Sequence, residues 1–220
     1  MLFGEFSLRR SNVVEAAPNG AVAMKKSKAE TAVTRKRIIE AAAQAFMRNG
    51  IEATGVAEIM ATVGLTAGGF YRHFDSKEQL VAEAYAARMD IRVASAEIGR
   101  DEGYQKVFEH LENALSLANL DDIFTGCPIV AMGSELARAS DETRRVASGG
   151  IQDLVEVLAK WNPSEEIRFA EEDAICTLSS MVGAATLSRI VDDPQLSTHI
   201  LEVVKKRLAD MLRAKIGACA

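Results

Sequence analysis

Apolar side chains recur every three or four residues along most of this chain, which is the spacing of amphipathic helices. In the first such helix we expect Thr34 to be the N-cap, Arg48 to lie in the last turn and Gly50 to end the helix. Its apolar stripe consists of Ile38, Ala41, Ala42, Ala45 and Phe46. No run of four or more residues alternates as a strand would, so the predicted fold class is all-α.

Two short helices and one long helix are predicted next. The second helix follows Thr54 and ends at Gly64, and the third begins at Thr66 and continues through Phe74. A long helix over about 76–95 then leads from the first part of the chain into the second. The two overlapping capping pairs that open it are Asp75 with Glu78 and Ser76 with Gln79.

The rest of the chain is also predicted to be helical. The expected helices cover about 103–119, 127–139, 142–161, 162–192 and 196–215. An N-cap, a proline at the first helical position and a glutamate at the third open the helix at Asn162-Pro163-Ser164-Glu165. The last helix carries one apolar face formed by Leu196, Ile200, Val203, Val204, Leu208 and Met211.

Three segments follow from this pattern: a flexible extension at 1–29, a head of short helices at 30–81 and a larger helical body at 82–220. Residues 1–23 have no helical period and carry a turn signal at Pro18-Asn19-Gly20. They are interpreted as a loose extension, with Met24 as an alternative start. A short ordered arm is the other interpretation.

Composition excludes several classes of protein. The chain has 220 residues, of which 48% are hydrophobic and 26% charged, as is typical of a soluble globular protein. No apolar run approaches the roughly 18 residues that cross a bilayer, so no membrane partner is expected. The three cysteines, Cys127, Cys176 and Cys219, form neither a disulfide framework nor a metal-binding pair. We therefore expect a cytoplasmic protein without a metal or other cofactor.

Charge is distributed unevenly along the chain. The net charge is −5 overall, but residues 24–81 carry +3 and residues 82–220 carry −8. A mildly basic segment beside an acidic one favours a head that binds a polyanion and a body that stays away from it.

The segment 54–74 has the features that a helix entering a DNA major groove requires. Gly64 provides the tight turn between two helices, and Ala67, Gly68 and Gly69 are small enough to let the second helix approach the groove. The core between the two helices is predicted to contain Val56, Ile59, Met60, Leu65, Phe70 and Phe74. The residues left to face DNA are Thr66, Ala67, Gly68, Gly69, Tyr71, Arg72, His73 and Lys77.

Each polar member of this set also has a plainer interpretation. Tyr71 could pack its ring in the head, and Arg72 and His73 could simply be solvated. Lys77 lies in the first turn of a helix, where its charge opposes the helix dipole, and a nearby phosphate would explain that position.

The combination of the first helix, IIEAA followed by Phe and Gly, with the run VGLTAGGFYRHFDSKEQL resembles the tetracycline-repressor (TetR/AcrR) family of bacterial transcription factors. The resemblance covers about 34–81. It implies that the head, 30–81, is a helix-turn-helix DNA-binding domain. It also implies that the body, 82–220, is a six-helix ligand-binding and dimerisation domain. It also implies a homodimer on double-stranded DNA at a palindromic operator, released by a small molecule. Repression of transcription is the expected outcome, and activation is also compatible with the resemblance.

The resemblance assigns the same residues to the DNA-facing positions, with two departures. Gly55 and Gly69 stand where many family members have hydroxyl residues, and we expect Thr54 to replace the first of these phosphate contacts. If both contacts are lost, the alternative is a helical homodimer that binds a small molecule or a protein partner and has a degenerate DNA-binding head.

The body offers candidates for an effector site and a dimer interface. An apolar effector pocket is predicted from Phe108, Leu111, Leu115, Phe124, Ile129 and Met132, although residues at this spacing also form plain core. Small residues let two long helices approach closely, so the last two helices are the predicted dimer interface. These small residues are Ser179, Ser180, Gly183, Ala184 and Ala185. Glu135 with Arg138 is either a solvated pair or part of the pocket, and Cys127 is either an oxidant-sensing or an inert thiol.

Enzymatic motifs are missing from the sequence. The three histidines are scattered, and no HExxH, GxSxG or phosphate-binding glycine loop is present. We therefore predict that the protein is not an enzyme.

Overall fold

The structure, a computed structural model, describes residues 28–101, 104–118, 126–161 and 167–218. Within these ranges the chain forms helices and turns and no strand, which confirms the all-α class. The elements in chain order are α1 (Lys28–Asn49), α2 (Val56–Thr62), a 3-10 helix (Ala67–Arg72), α3 (Lys77–Asp101), α4 (Tyr104–Ala114), α5 (Pro128–Leu136), α6 (Asp141–Ala159), α7 (Ile167–Ile190) and α8 (Pro194–Ala218).

Helix α1 begins at Lys28, well before the predicted N-cap Thr34. Thr34 is buried inside the helix, and its hydroxyl donates to the carbonyl oxygen of Glu30 at 2.8 Å. A threonine inside a helix often satisfies its hydroxyl on the carbonyl four residues earlier, so a threonine before an apolar stripe is not always a cap. The predicted stop is confirmed, because Gly50 adopts a φ of 85°, which side chains disfavour.

The predicted third helix is a 3-10 helix, and it ends at Arg72 instead of continuing through Phe74. Two consecutive glycines, Gly68 and Gly69, have low helix propensity, which explains why a full α-helix does not form here. Gly64 has a φ of 75° in the turn that precedes it, as expected of a turn glycine.

The head has its own apolar core between α1, α2, the 3-10 helix and the start of α3. Phe70 and Phe74 are each 1% exposed, and their rings stack with centroids 5.4 Å apart. Burial of each aromatic side chain contributes about 2–3 kcal/mol. Of the predicted core, Ile59, Met60, Phe70 and Phe74 are buried, and Val56 and Leu65 lie partly buried at its edge. This core sets the orientation of the 3-10 helix.

Helix α3 connects the head to the body. Its N-terminus confirms one predicted capping pair: the Gln79 amide donates to the Ser76 hydroxyl at 3.0 Å, and the Asp75 amide donates to the Gln79 side chain at 2.7 Å. The helix then continues without a break through residue 81, so head and body share one rigid element.

The body is a layered bundle around α3 and α6. Helix α6 also packs on α7, α7 packs on α8, and α5 lies against α1 and α7. Gly150 marks the tight contact between α3 and α6, because a Cβ atom there would lie only 2.9 Å from the Cγ atom of Met89. A side chain at this position would push the two helices apart.

Several predicted boundaries moved by a few residues. Helix α4 ends at Ala114, and α8 begins at Pro194 because the Asp193 side chain accepts a hydrogen bond from the Gln195 amide at 2.9 Å. The predicted extension at 1–23, the helix start at 162–165, Phe124 and Cys219 lie outside the described residues. Over the described ranges, no helix is both long enough and apolar enough to cross a membrane.

Candidate DNA-binding surface and effector pocket

The start of the 3-10 helix presents a smooth, open surface. Thr66, Ala67 and Gly68 are exposed, and Gly69 is half-buried. A Cβ atom added to Gly68 would have no heavy atom within 4 Å, so the protein itself does not require a glycine here. The small side chains leave room for a bulky surface such as a DNA backbone to approach.

Two of the predicted DNA-facing side chains project strongly from this helix. Tyr71 is 75% exposed, and its ring only touches the edge of the Phe70 ring, with centroids 5.2 Å apart. Arg72 is exposed, while His73 and Lys77 are half-buried at the end of the segment. An aromatic side chain exposed to this degree gains little from the core, so its hydroxyl and ring face are available to a partner.

Sequence reasoning missed Arg35, which holds the 3-10 helix in place. Its guanidinium group forms a two-pronged ion pair with Glu83 of α3, and its Nε donates to the carbonyl oxygen of His73 at 3.2 Å. The same group lies over the Phe74 ring, 4.5 Å from its centroid. One side chain of α1 therefore links the end of the 3-10 helix to α3. The FYRHF run gives no sign of a partner thirty-eight residues earlier in the chain.

A second arginine of α1 supports the turn. Arg37 donates from Nη2 to the carbonyl oxygen of Val63 at 3.2 Å, immediately before the turn glycine Gly64. Lys36, beside it, is exposed and only 3.9 Å from Glu40, a weak surface pair. Helix α1 thus adds positive charge near the turn.

Thr54 does not face solvent, which corrects the prediction that it contacts a phosphate. It is 0% exposed, and its hydroxyl donates to the carbonyl oxygen of Gly50 at 2.6 Å. Gly55 occupies the N-cap position of α2 instead. A hydroxyl next to a helix start resembles a cap in the sequence, but here the tight turn after α1 offers a nearer carbonyl acceptor.

Glu135 of α5 joins body to head. Its two carboxylate oxygens accept hydrogen bonds from the backbone amides of Ile51, at 2.9 Å, and Glu52, at 2.7 Å. The carboxylate also lies 3.0 Å from the position that a Cβ atom on Gly50 would occupy, so the glycine leaves room for this contact. Neither of the predicted roles of Glu135, surface pair or pocket residue, is its role here.

The body contains an apolar cavity whose lining atoms surround about 470 Å³ of space, including its open mouth. Its walls come from α3, α4, α5, α6 and α7. The lining residues are Arg92, Ala96, His110, Ala114, Leu115, Cys127, Val130, Leu154, Leu158, Trp161, Leu178, Met181, Val182 and Ala185. The mostly apolar lining suits an organic molecule. The space that water-sized groups can occupy is only about 30 Å³, so a ligand larger than a few water molecules has to move the surrounding helices apart to enter.

Of the predicted effector residues, Leu115 lines this cavity. Leu111 and Met132 are buried in the core, Ile129 packs partly buried against it, and Phe108 stacks under the guanidinium group of Arg213 at 5.0 Å. Helical spacing identifies apolar positions but does not separate residues of a solid core from residues of a cavity wall, and most of the actual wall was therefore missed.

The polar groups of the cavity have a distinct electrostatic arrangement. Burial, and then the nearby positive charge of Arg92, lower the pKa of His110 to about 4, so this imidazole is neutral at pH 7. The His110 ring meets the Trp161 ring edge-on at 5.3 Å, and the Trp161 indole donates to the carbonyl oxygen of Ala96 at 3.3 Å. Arg92 therefore supplies the positive charge of the wall.

The small-residue stripe of α7 divides between two faces. Ala184 and Ala185 are buried within the protomer, whereas Ser179 is exposed and a Cβ on Gly183 would meet nothing within 4 Å. On the outer face of α7 and α8 lie large apolar side chains that remain exposed in this single chain. They are Ile175, Leu187, Ile190, Leu196 and Val203.

Comparison with known families identifies the head. The profile described as bacterial regulatory proteins of the tetR family matches residues 38–84. The transcriptional regulator TtgR of Pseudomonas putida is 41% identical over 58 residues, which cover 26% of this chain and 28% of TtgR. The transcriptional repressor BepR of Brucella suis is 26% identical over 174 residues, or 73% of this chain and 82% of BepR. The alignment with TtgR thus spans little more than a quarter of that relative.

Solved structures match over most of the fold. The reduced form of NemR from Escherichia coli aligns with a TM-score of 0.69 at 17% identity, covering 81% of this chain and 96% of NemR. A transcriptional regulator from Chloroflexus aurantiacus aligns with a TM-score of 0.67 at 24% identity, covering 84% of this chain and 96% of that protein. At these identities the likeness concerns the arrangement of helices in head and body.

Proposed function

We propose that this chain, whose head matches the tetR-family profile over residues 38–84, is a cytoplasmic repressor of the TetR family of bacterial transcriptional regulators. In this proposal it binds a palindromic operator as a homodimer and leaves the operator when a small molecule enters the body. The 3-10 helix carries the proposal, because Tyr71 and Arg72 project from a segment that Arg35 and the head core hold rigidly.

DNA is read in this proposal by a small set of residues. Arg72 binds base edges, Tyr71 and Lys77 bind phosphates, and the small side chains Ala67 and Gly68 allow close approach. Thr66 and His73 flank this set, and Gly69 lies half-buried between them. Thr54 has no part in it, since its hydroxyl is buried.

A mobility-shift experiment tests this function. The full-length protein is titrated onto the DNA that flanks its own gene and onto a scrambled duplex of equal length, at low and moderate salt. We expect a retarded band on the flanking DNA at protein concentrations that leave the scrambled duplex free. Absence of a band at low salt would favour the alternative, a helical dimer with a degenerate head.

The homodimer is proposed to form through α7 and α8. The exposed apolar residues on their outer faces form a surface that a second copy would cover, and Gly183 and Ser179 permit close helix contact. A two-fold dimer presents two recognition segments, which have to lie about one DNA turn, ~34–36 Å, apart for both half-sites to be occupied.

Two elements would transmit the effector signal from body to head. Helix α3 carries Arg92 in the cavity wall and Lys77 at the DNA-facing end. Helix α5 begins beside the cavity at Cys127 and ends near Glu135, which holds the turn after α1. A ligand that shifts α3 and α5 would therefore move both heads and change the separation of the two recognition segments.

Spin-label distances test this mechanism. A variant with Cys127, Cys176 and Cys219 replaced by serine and one label at Gln44→Cys on the exposed face of α1 reports the distance between the two heads. We expect the distance to change with any small molecule that dissociates the protein–DNA complex. The response should shrink in Glu135→Gln, whose amide cannot accept both backbone hydrogen bonds, and should persist in the exposed control Glu156→Gln. Release of DNA at an unchanged distance would contradict the mechanism.

A further inference from the structure

Among the residues that the structure describes, the cavity wall is apolar apart from three side chains. These are Arg92, His110 and Cys127, and the remaining lining is aliphatic or small, closed on one side by Trp161. An apolar cavity with one charged group selects its ligand by charge as well as by shape, because a charge held near low-dielectric walls acts on a ligand more strongly than it does in water.

Arg92 has no acidic partner in the described part of the chain. No carboxylate among the described residues forms an ion pair with its guanidinium group, although other arginines of the protein do so: Arg35 pairs with Glu83 and Arg144 with Asp141. His110, which feels the charge of Arg92, is held neutral by burial and by Arg92 itself. Within the described ranges, the charge of this half-buried guanidinium group is therefore incompletely compensated.

We propose that this cavity takes an apolar molecule that bears one anionic group, and that the anion pairs with Arg92 while the hydrocarbon part packs against Leu154, Leu158 and Met181. This inference rests on the proposed function only in treating the cavity as the effector site. A guanidinium group suits the anion because its planar donors bind a carboxylate in two-pronged geometry.

Arg92 lies on the helix that joins body and head, so the charge of a ligand can affect the head through this helix. Arg92 and Lys77 belong to the same helix, fifteen positions apart, which corresponds to about 22 Å of helix. An anion that draws the guanidinium group towards the cavity acts directly on the element that ends at the DNA-facing surface. A neutral ligand would fill the space without this pull.

The single tryptophan of the chain provides a reporter inside the cavity. Trp161 is the only tryptophan in the sequence and lines the proposed site. A bromine atom quenches indole fluorescence on contact, so ω-bromoundecanoate and its uncharged counterpart ω-bromoundecanol measure binding at this cavity. The alcohol is the more easily desolvated of the two, and it should bind better in a site without a positive charge.

We expect bromoundecanoate to bind the wild-type homodimer about tenfold more tightly than bromoundecanol. A difference of this size corresponds to one charge-assisted hydrogen-bonded pair in a half-exposed position. Arg92→Gln should abolish or reverse this preference, and Arg92→Lys should retain part of it. The matched control Arg145→Gln removes an exposed arginine of α6 and should leave both affinities unchanged. Far-UV circular dichroism checks that each variant is folded.

The inference is overturned if the wild type binds the alcohol as tightly as the carboxylate, or if Arg92→Gln keeps the preference for the anion. Both readouts are made without DNA, so they are independent of operator binding. If the protein binds its operator specifically but binds bromoundecanoate and bromoundecanol equally well, this inference is wrong and the proposed function is unaffected. If the protein prefers the anion through Arg92 but binds no DNA, this inference is supported and the proposed function is wrong.

Discussion

At the scale of single residues, the proposed DNA-binding surface depends on two kinds of side chain. Tyr71 and Arg72 point outward and are available to DNA, while Arg35 points inward and holds the segment that carries them. The sequence motif draws attention to the first kind, because exposed donors beside small residues have an evident use. The second kind lies on another helix and is found only in three dimensions.

Arg72 and Lys77 should differ in what their loss does to DNA binding. Lys77 lies at the start of α3, where a flexible ammonium group reaches a phosphate, whereas the planar guanidinium group of Arg72 can bind guanine O6 and N7. We expect Arg72→Ala to lose about 1–3 kcal/mol of preference for the operator over random DNA. Lys77→Ala should weaken both complexes alike and lower the salt slope by about one per head.

Titrations of both variants on operator and scrambled duplexes at several salt concentrations measure the difference. An equal loss on the two duplexes for Arg72→Ala would make that arginine a phosphate contact. Sequence reading would then fall to Thr66, Tyr71 and the shape of the DNA.

His110 should make the stability of the protein depend on pH. Its pKa is about 4 in the folded protein and near its ordinary 6.5 in the unfolded chain, so the unfolded chain binds the proton first as the pH falls. The free energy of unfolding is therefore undiminished by this residue above pH 6.5, and it falls progressively as the pH is lowered towards 4. Between pH 7 and pH 5 the loss should be about 1–2 kcal/mol.

Urea unfolding at a series of pH values detects this contribution. His110→Gln should flatten the dependence between pH 6.5 and pH 4, while His199→Gln, which alters an exposed histidine of α8, should leave it as in the wild type. Parallel curves for wild type and His110→Gln would show that the pKa of His110 is not lowered by folding.

At the scale of elements, α3 and its packing against α6 decide how head and body are joined. The contact is close because Gly150 has no side chain, and Met89 of α3 fills the space in front of it. Its neighbour Gly149 points into open space. Two adjacent glycines of one helix therefore have different structural roles.

Alanine at these two positions should act in opposite directions. Gly149→Ala gains helix propensity without a clash and should stabilise the protein by up to about 1 kcal/mol. Gly150→Ala places a Cβ atom 2.9 Å from Met89 Cγ and should destabilise it by about 1–3 kcal/mol despite the same gain in propensity. Thermal unfolding of the two variants gives the comparison, and equal shifts in Tm would mean that α3 and α6 are packed less tightly at this point.

At the scale of the whole molecule, one long apolar face of the single chain is exposed to solvent. Leu187 and Ile190, at 53% and 72% exposed, lie near the end of α7, and Leu196 and Val203 continue the apolar surface on α8. The predicted single stripe of α8 is in fact two: Leu208 faces the protomer core, and Leu196 and Val203 face outward. A helix with two apolar faces fits a protein that packs on itself and on a second copy.

Ile190→Glu should disrupt the proposed homodimer. Two buried isoleucines would be replaced by two buried charges per dimer, costing about 3 kcal/mol or more, or roughly a hundredfold in the dimer dissociation constant. Sedimentation equilibrium measures this change, and operator affinity should fall with it. The matched variant Ile91→Glu changes an isoleucine that is 59% exposed and belongs to α3, not to the two helices of the proposed interface, and should remain dimeric. A monomeric wild type, or a dimeric Ile190→Glu, would contradict the proposed interface.

Local signals in the sequence predicted the helices and the head core well. Glycine at Gly50 and Gly64, the Ser76–Gln79 cap and the buried Phe70 and Phe74 are all decided by residues a few positions apart, and the structure confirms them. Even here, Thr34 was wrongly predicted to be a cap and Thr54 to be a phosphate contact, because a hydroxyl has several nearby acceptors and sequence alone does not rank them.

What the sequence determined by itself is therefore the fold class, the order of the helices and a short exposed segment of small residues after a turn, since these follow from periodicity, capping and turn chemistry within a few residues. Only the tertiary structure decided which apolar residues line the cavity and that Glu135 holds a turn more than eighty residues earlier. It also decided that Arg92 faces that cavity without a carboxylate partner among the described residues. These features depend on which faces of distant helices meet, and helical spacing carries no information about the partner that each face will find.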